Sequence, residues 1–196
     1  MEFNPALKAK RPPSSALQFA LEYGNAHLIP LLTQIWPLPD DLPHAAGVGD
    51  LARVGGWFDA AGRPRLGSLS RHHPINNPSW VRNLHWMPPH AQHILDVAFA
   101  WACVNRQFEI ADFLLEHGAN INTDWSTHEP ASILHECAVH ANYEAAQFLI
   151  DRGIDMTIRD YRWNATAEGW AYHAAKDTHM AEFLARAESA RKGQSL

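Results

Sequence analysis

The chain has 196 residues, 46% of them hydrophobic and 19% charged, with a formal net charge of −5. These values belong to a folded domain that can bury roughly 70% of its unfolded surface without disulfide staples. They exclude collagen, disordered and disulfide-miniprotein classes, and they leave no basic excess to draw nucleic acid or an anionic membrane. The longest unbroken apolar run, Val97 to Val104, is far short of a membrane span, and Met1–Pro13 lacks the apolar core of a secretory signal. Two cysteines, Cys103 and Cys137, cannot build a secreted framework, so a reduced, cytoplasmic protein is expected. The unusual counts are 13 His and 8 Trp.

Internal periodicity organises the second half. Ala98–Cys103 is rich in small residues and reads as a short helix that a neighbour can approach closely. Phe108 to His117 carries Ile110, Ala111, Phe113, Leu114 and Leu115 on the stripe of a helix buried along one face. Gly118 follows the last apolar turn, where a left-handed residue closes a helix. The pattern returns 35 residues later: Ile133–Ala138 matches the first helix, Tyr143–Arg152 the second, and Gly153 the stop. A further step of 35 reaches Met180-Ala181-Glu182-Phe183-Leu184. A single pair of such helices cannot bury its apolar face, whereas stacked pairs can, so the unit implies an array.

Two blocks give that array a likeness. Ser132-Ile133-Leu134-His135-Glu136-Cys137-Ala138 and Glu109-Ile110-Ala111-Asp112-Phe113-Leu114-Leu115-Glu116-His117-Gly118-Ala119-Asn120-Ile121-Asn122 resemble the ankyrin repeat, whose first helix opens T-P-L-H-x-A-A and whose second ends L-L-x-x-G-A-D-V-N. Ser15 to Asn25, Leu42 to Val54 with Trp57-Phe58, and Thr166 to Ala171 are similar to further copies. Among them only His135 keeps the family's histidine; Gln18, His44 (shifted by one), Ala100 and Gly169 stand at or near that slot. The resemblance implies an all-α solenoid of helical hairpins in a single domain, 1–196, with about five repeats at 14–38, 39–62, 94–126, 127–159 and 160–190. A polar, fraying C-terminal cap is expected after Leu184.

Between 63 and 93 the period fails, and the offset from Ala45-Ala46 to Ala102-Cys103 places about 22 extra residues there. Pro64, Pro74, Pro78, Pro88 and Pro89 forbid a long helix, while Trp80, Trp86, His72, His73, His85, His90 and His93 concentrate in the same stretch. It reads either as a packing insertion over a gap between repeats or as a specificity loop.

Catalytic signals are weak. His135 and His140 stand five apart, about 140° round a helix, so they do not form the paired-histidine face of a zinc protease. Cys103 and Cys137 fall in buried small-residue slots without an activating base. Gly47-Val48-Gly49 is explained by a turn between helices, and Glu109 and Glu144 share one repeat slot, which argues for architecture. No catalytic residue, cofactor or metal is expected.

The resemblance implies a non-catalytic scaffold, acting as a monomer, that binds a protein partner through hairpin tips and the concave side of the first helices. Mapped here, the concave side offers Trp101, Asn105, Glu136 and His140, and the tips offer Trp125, Tyr161, Arg162 and Trp163. Rival readings are a metal-dependent or enzymatic module built on 63–93, and a regulatory protein that masks another enzyme.

Overall fold

The helices come in antiparallel pairs because each is too short to persist alone and each carries one apolar face. In the computed structural model, which describes residues 15–72, 90–127 and 130–194, they run in chain order as follows. Helix α1 (Ser15–Glu22) leads through a 3₁₀ turn to α2 (Ile29–Ile35). Next come α3 (Leu42–Val48) with α4 (Leu51–Gly55), α5 (Ala91–Val104) with α6 (Phe108–Glu116), and α7 (Ile133–Val139) with α8 (Tyr143–Asp151). Last, α9 (Ala167–Gly169) continues into a π turn (Trp170–Ala175) and is followed by α10 (Thr178–Gln194). The described residues are all-α, with a lone bridge between Phe58 and Pro64 and no named strand. The chain is therefore a solenoid of helical hairpins, as expected.

One turn recurs in every pair. Gly24, Gly49, Arg106, Ala141 and Lys176 all have positive φ; two residues later the second helix begins in the last four pairs, and the 3₁₀ turn that leads into α2 begins in the first. The following amide reaches back into the first helix: Asn25 to Ala20, Asp50 to Ala45, Gln107 to Ala102 and Asn142 to Cys137. Side chains of Asp50, Asn142 and Asp177 then cap the second helix by accepting from Arg53, Ala145 and Met180 amides. Adjacent pairs are tied by the same chemistry, as where Asn142 Nδ2 donates to the Val104 carbonyl at 2.9 Å.

The core runs the length of the stack. Phe99, Trp101, Leu114, Ile133, Leu134, Leu149, Met180 and Leu184 are buried to within 1%. Both cysteines lie inside it, and burial pushes the Cys137 thiol, like that of Cys103, far above the ordinary range, so neither is a nucleophile at neutral pH.

His135 acts as a clasp. Its Nδ1 accepts from the Ser132 amide at 3.1 Å, and its Nε2 donates to the Ala165 carbonyl of the next hairpin at 3.1 Å. Sequence spacing set His44 one place off this slot. The structure corrects that, because His44 lies three residues past its cap, Asp41, just as His135 lies three past Ser132. His93 stands in the same relation to His90. Helix α5 thus begins well before the Ala98 start read from periodicity, and its 14 residues against the 7 of α7 give it two extra N-terminal turns. Asp96 on that extension accepts from Gln92 Nε2 and from the Asn120 amide, both at 2.8 Å, joining it to the loop after α6.

The described part of 63–93 is well anchored. His72 is fully buried, accepts the Leu42 amide at 3.0 Å, donates to the Leu66 carbonyl at 2.7 Å and sits edge-on to Trp57. Trp80, Trp86, His73 and His85, like Met1–Pro13 and His128, lie outside the described residues. The fraying expected after Leu184 is also corrected: α10 continues to Gln194, and Arg191 bridges to the Ile150 carbonyl at 2.5 Å and to that of Ile154.

Two substitutions test the turn geometry. Gly118 has φ +96° with open space where a Cβ would stand, so Gly118→Val costs backbone strain alone, about 1–2 kcal/mol. Ala141 carries the opposite defect at φ 53°, and Ala141→Gly raises stability by about 0.5–1 kcal/mol. Thermal melts of the two variants move in opposite directions.

Candidate interaction surface

The hairpin tip at 160–165 is built on one carboxylate. Asp160 is 3% exposed and accepts from the amides of Arg162 (2.8 Å), Trp163 (2.6 Å) and Ala165 (2.8 Å) and from Trp170 Nε1 (3.0 Å). Burial works to raise its pKa, but these four donors hold it below the usual carboxylate range. With Asp160 turned inward, Tyr161 and Trp163 face outward, 79% and 60% exposed. The Arg162 guanidinium lies 5.4 Å from the Trp163 ring centre, and Trp163 meets Trp170 edge-on at 5.9 Å. Between this tip and the π turn runs a mostly apolar groove of about 490 Å³, floored by Trp170 and flanked by Trp163 and His173. The Tyr161 amide donates to the Pro130 carbonyl at 3.0 Å, joining this tip to the hairpin before it.

A second opening lies at the turn end of the inner helices. This cavity of about 150 Å³ is bounded by Glu22, Tyr23, Arg106, Glu136, His140 and Asn142. Glu136 serves the fold first: its Oε1 accepts from Ser126 Oγ (2.5 Å), the Thr127 amide (2.7 Å) and Thr127 Oγ1 (2.9 Å). His140 Nε2 stands 3.5 Å from its other oxygen, and the Tyr23 ring meets His140 edge-on at 5.9 Å. Desolvation pushes the Glu22 carboxyl up to about 7; the Gln18 amide works against the rise and the Glu136 carboxylate adds to it.

The sequence-derived contact residues divide in two. Tyr161, Arg162 and Trp163 gather on one exposed tip, and His140 is exposed at the second opening. Trp101, Asn105, Trp125 and Glu136 are corrected: they are 0%, 1%, 3% and 1% exposed and cannot meet a partner in this state. For Trp101 and Asn105 the reason is α1, which lies across α3 and α5. Asn105 Nδ2 donates to the Leu21 carbonyl at 2.7 Å, and Leu17 and Leu21 are fully buried. Trp125 is buried because Glu136 holds the adjoining Ser126 and Thr127. Sequence reasoning passed over Asp160 and Trp170; an aspartate followed by aromatic residues at a hairpin tip, ahead of an indole that needs an acceptor, was their signal. Among the described residues no group of three His, Cys, Asp or Glu side chains is placed to hold a metal ion. His72, His90 and His93 instead serve capping and packing.

Two groups titrate in opposite senses. Desolvation lowers the His135 pKa below 6.5, so its contribution is present above that pH and is lost as pH falls through the lowered value. The raised Glu22 contributes fully below 4.5 and loses its contribution as pH rises through about 7. Glu22→Gln therefore removes the alkaline loss: between about pH 6 and about pH 8 the native chain loses more Tm than the variant does. Trp125→Ala leaves a cavity and costs about 3–5 kcal/mol in denaturant melts.

Comparison with known families matches residues 76–160 to ankyrin repeats (3 copies). No curated protein matches the chain. None of the described helices is long and apolar enough to cross a membrane. Ankyrin repeats are in general protein-interaction modules, and over residues 76–160 this chain matches such repeats, in keeping with its stacked helical hairpins.

Proposed function

We propose that the protein is a non-catalytic scaffold, monomeric and cytoplasmic, that captures a protein partner through the aromatic tip at Tyr161, Arg162 and Trp163. The observation that carries this reading is the exposure of two large rings on a tip held by the buried Asp160. Exposed apolar area on a rigid support favours binding, because little conformational freedom is lost on association. Trp, Tyr and Arg are also the residue types that dominate interface energetics. The groove beneath Trp163 gives the partner a pocket for an apolar anchor. His140 extends the contact onto the concave side, where it is the exposed member of the expected set.

We also propose the repeat layout 14–38, 39–62, 94–126, 127–159 and 160–190, with 63–93 inserted. The left-handed turns at Gly24, Gly49, Arg106, Ala141 and Lys176, each leading into a second helix, support that division.

Affinity capture from the native source tests the function. Tyr161→Ala with Trp163→Ala abolishes recovery of the partner while the unfolding free energy stays within the small range of surface changes, roughly 0.5 kcal/mol per substitution. Undiminished capture by the double variant removes the tip from the interface.

A further inference from the structure

Helix α1 does not continue the row of inner helices. It contacts α3 and α5 together, and its end reaches α7, where Tyr23 meets the His140 ring. It therefore lies over the inner face. The face is shaped for a helix at this place: Gly47 leaves room for Leu21, whose Cδ2 stands 2.9 Å from where a Cβ would be. Gly24 likewise lies against the Val104 carbonyl, with 2.7 Å from that oxygen to an ideal Cβ.

Yet α1 fits the apolar part of this face and not the polar part. Three buried atoms in the layer beneath it have no hydrogen-bond partner: Trp101 Nε1, Asn105 Oδ1 and His44 Nε2, the last on a ring packed edge-on to Trp101 at 5.1 Å. Buried polar atoms are ordinarily paired, and leaving one unpaired costs stability. At its C-terminal end α1 brings the Glu22 carboxyl to the cavity that Glu136 also lines. A cation at that place would pair with a carboxylate where α1 supplies a second one.

We propose that α1 is an internal stand-in for a partner helix, and that the face it covers accepts an amphipathic helix carrying two leucines four residues apart followed directly by Lys or Arg. That pattern reproduces Leu17 and Leu21 and replaces Glu22 by its complement. The partner displaces α1, so the inner face is self-occluded until a better-matched helix competes. This surface is distinct from the aromatic tip, and either can fail without the other.

The test uses the full chain and a labelled, end-capped peptide of residues 15–25, in native form and with Glu22→Lys. Fluorescence anisotropy is expected to show the lysine peptide binding roughly tenfold or more tightly than the native peptide. A clamp is then made with Leu21→Cys and Gly47→Cys, which removes the leucine that occupies the space beside Gly47. Oxidation of the clamp should abolish peptide binding, and reduction should restore it. Should the clamped chain not fold, Glu22→Lys in the full chain serves instead: it should raise Tm and weaken capture of the lysine peptide. Absence of binding by either peptide, equal binding by both, binding unaffected by the closed clamp, or a lowered Tm for full-chain Glu22→Lys would overturn the proposal. None of these readouts depends on Tyr161 or Trp163.

Discussion

Helices of seven and nine residues set the terms for this molecule. Each is too short to hold its hydrogen bonds against water alone, and a pair still presents more apolar surface than it can cover. Only the next pair can cover the rest. The stack therefore depends on bonds that fix one hairpin's height and angle against another. His135 supplies one by spanning from the Ser132 cap to the Ala165 carbonyl, and Asn142 supplies another at the opposite end. The first requires a neutral imidazole and the second an amide, so the register between α7 and its neighbours rests on uncharged side chains that are hidden from solvent.

Function follows from what that register leaves outside. Asp160 spends its whole hydrogen-bonding capacity on the backbone and indole around it, and the reward is a tip whose rings cannot retreat inward. Glu136 does the reverse one hairpin earlier. By drawing Ser126 and Thr127 against α7 it closes that tip, and Trp125 closes with it. Two buried acidic side chains, Asp160 within one tip and Glu136 on the helix that follows the other, thus produce opposite exposures of Trp163 and Trp125.

Much of the fold was legible because it is local. The apolar stripe from Ile110 to Leu115 and the glycine after it place α6 correctly, and the same letters 35 residues on place α8. The start of α5 was hidden, since its two added turns break the repeat length and follow Pro88 and Pro89. The site was less legible, for a different reason. Trp101, Trp125 and Trp163 are one residue type in similar contexts, and what separates them is tertiary: α1 over the first, the Glu136 network beside the second, and an inward Asp160 behind the third. No spacing rule announces that the Leu21 carbonyl, 84 positions upstream, will accept a hydrogen bond from the Asn105 side-chain amide.

The overlong α5 changes how the array behaves mechanically. A solenoid of equal modules yields one module at a time from either end, like a zip. Here a rod of 14 residues reaches α3 and α1 on one side and α7 on the other, while Asp96 stitches it to the loop beyond α6. Such a keel ties the halves on either side of it into one cooperative block, so that the modules it spans do not yield one by one.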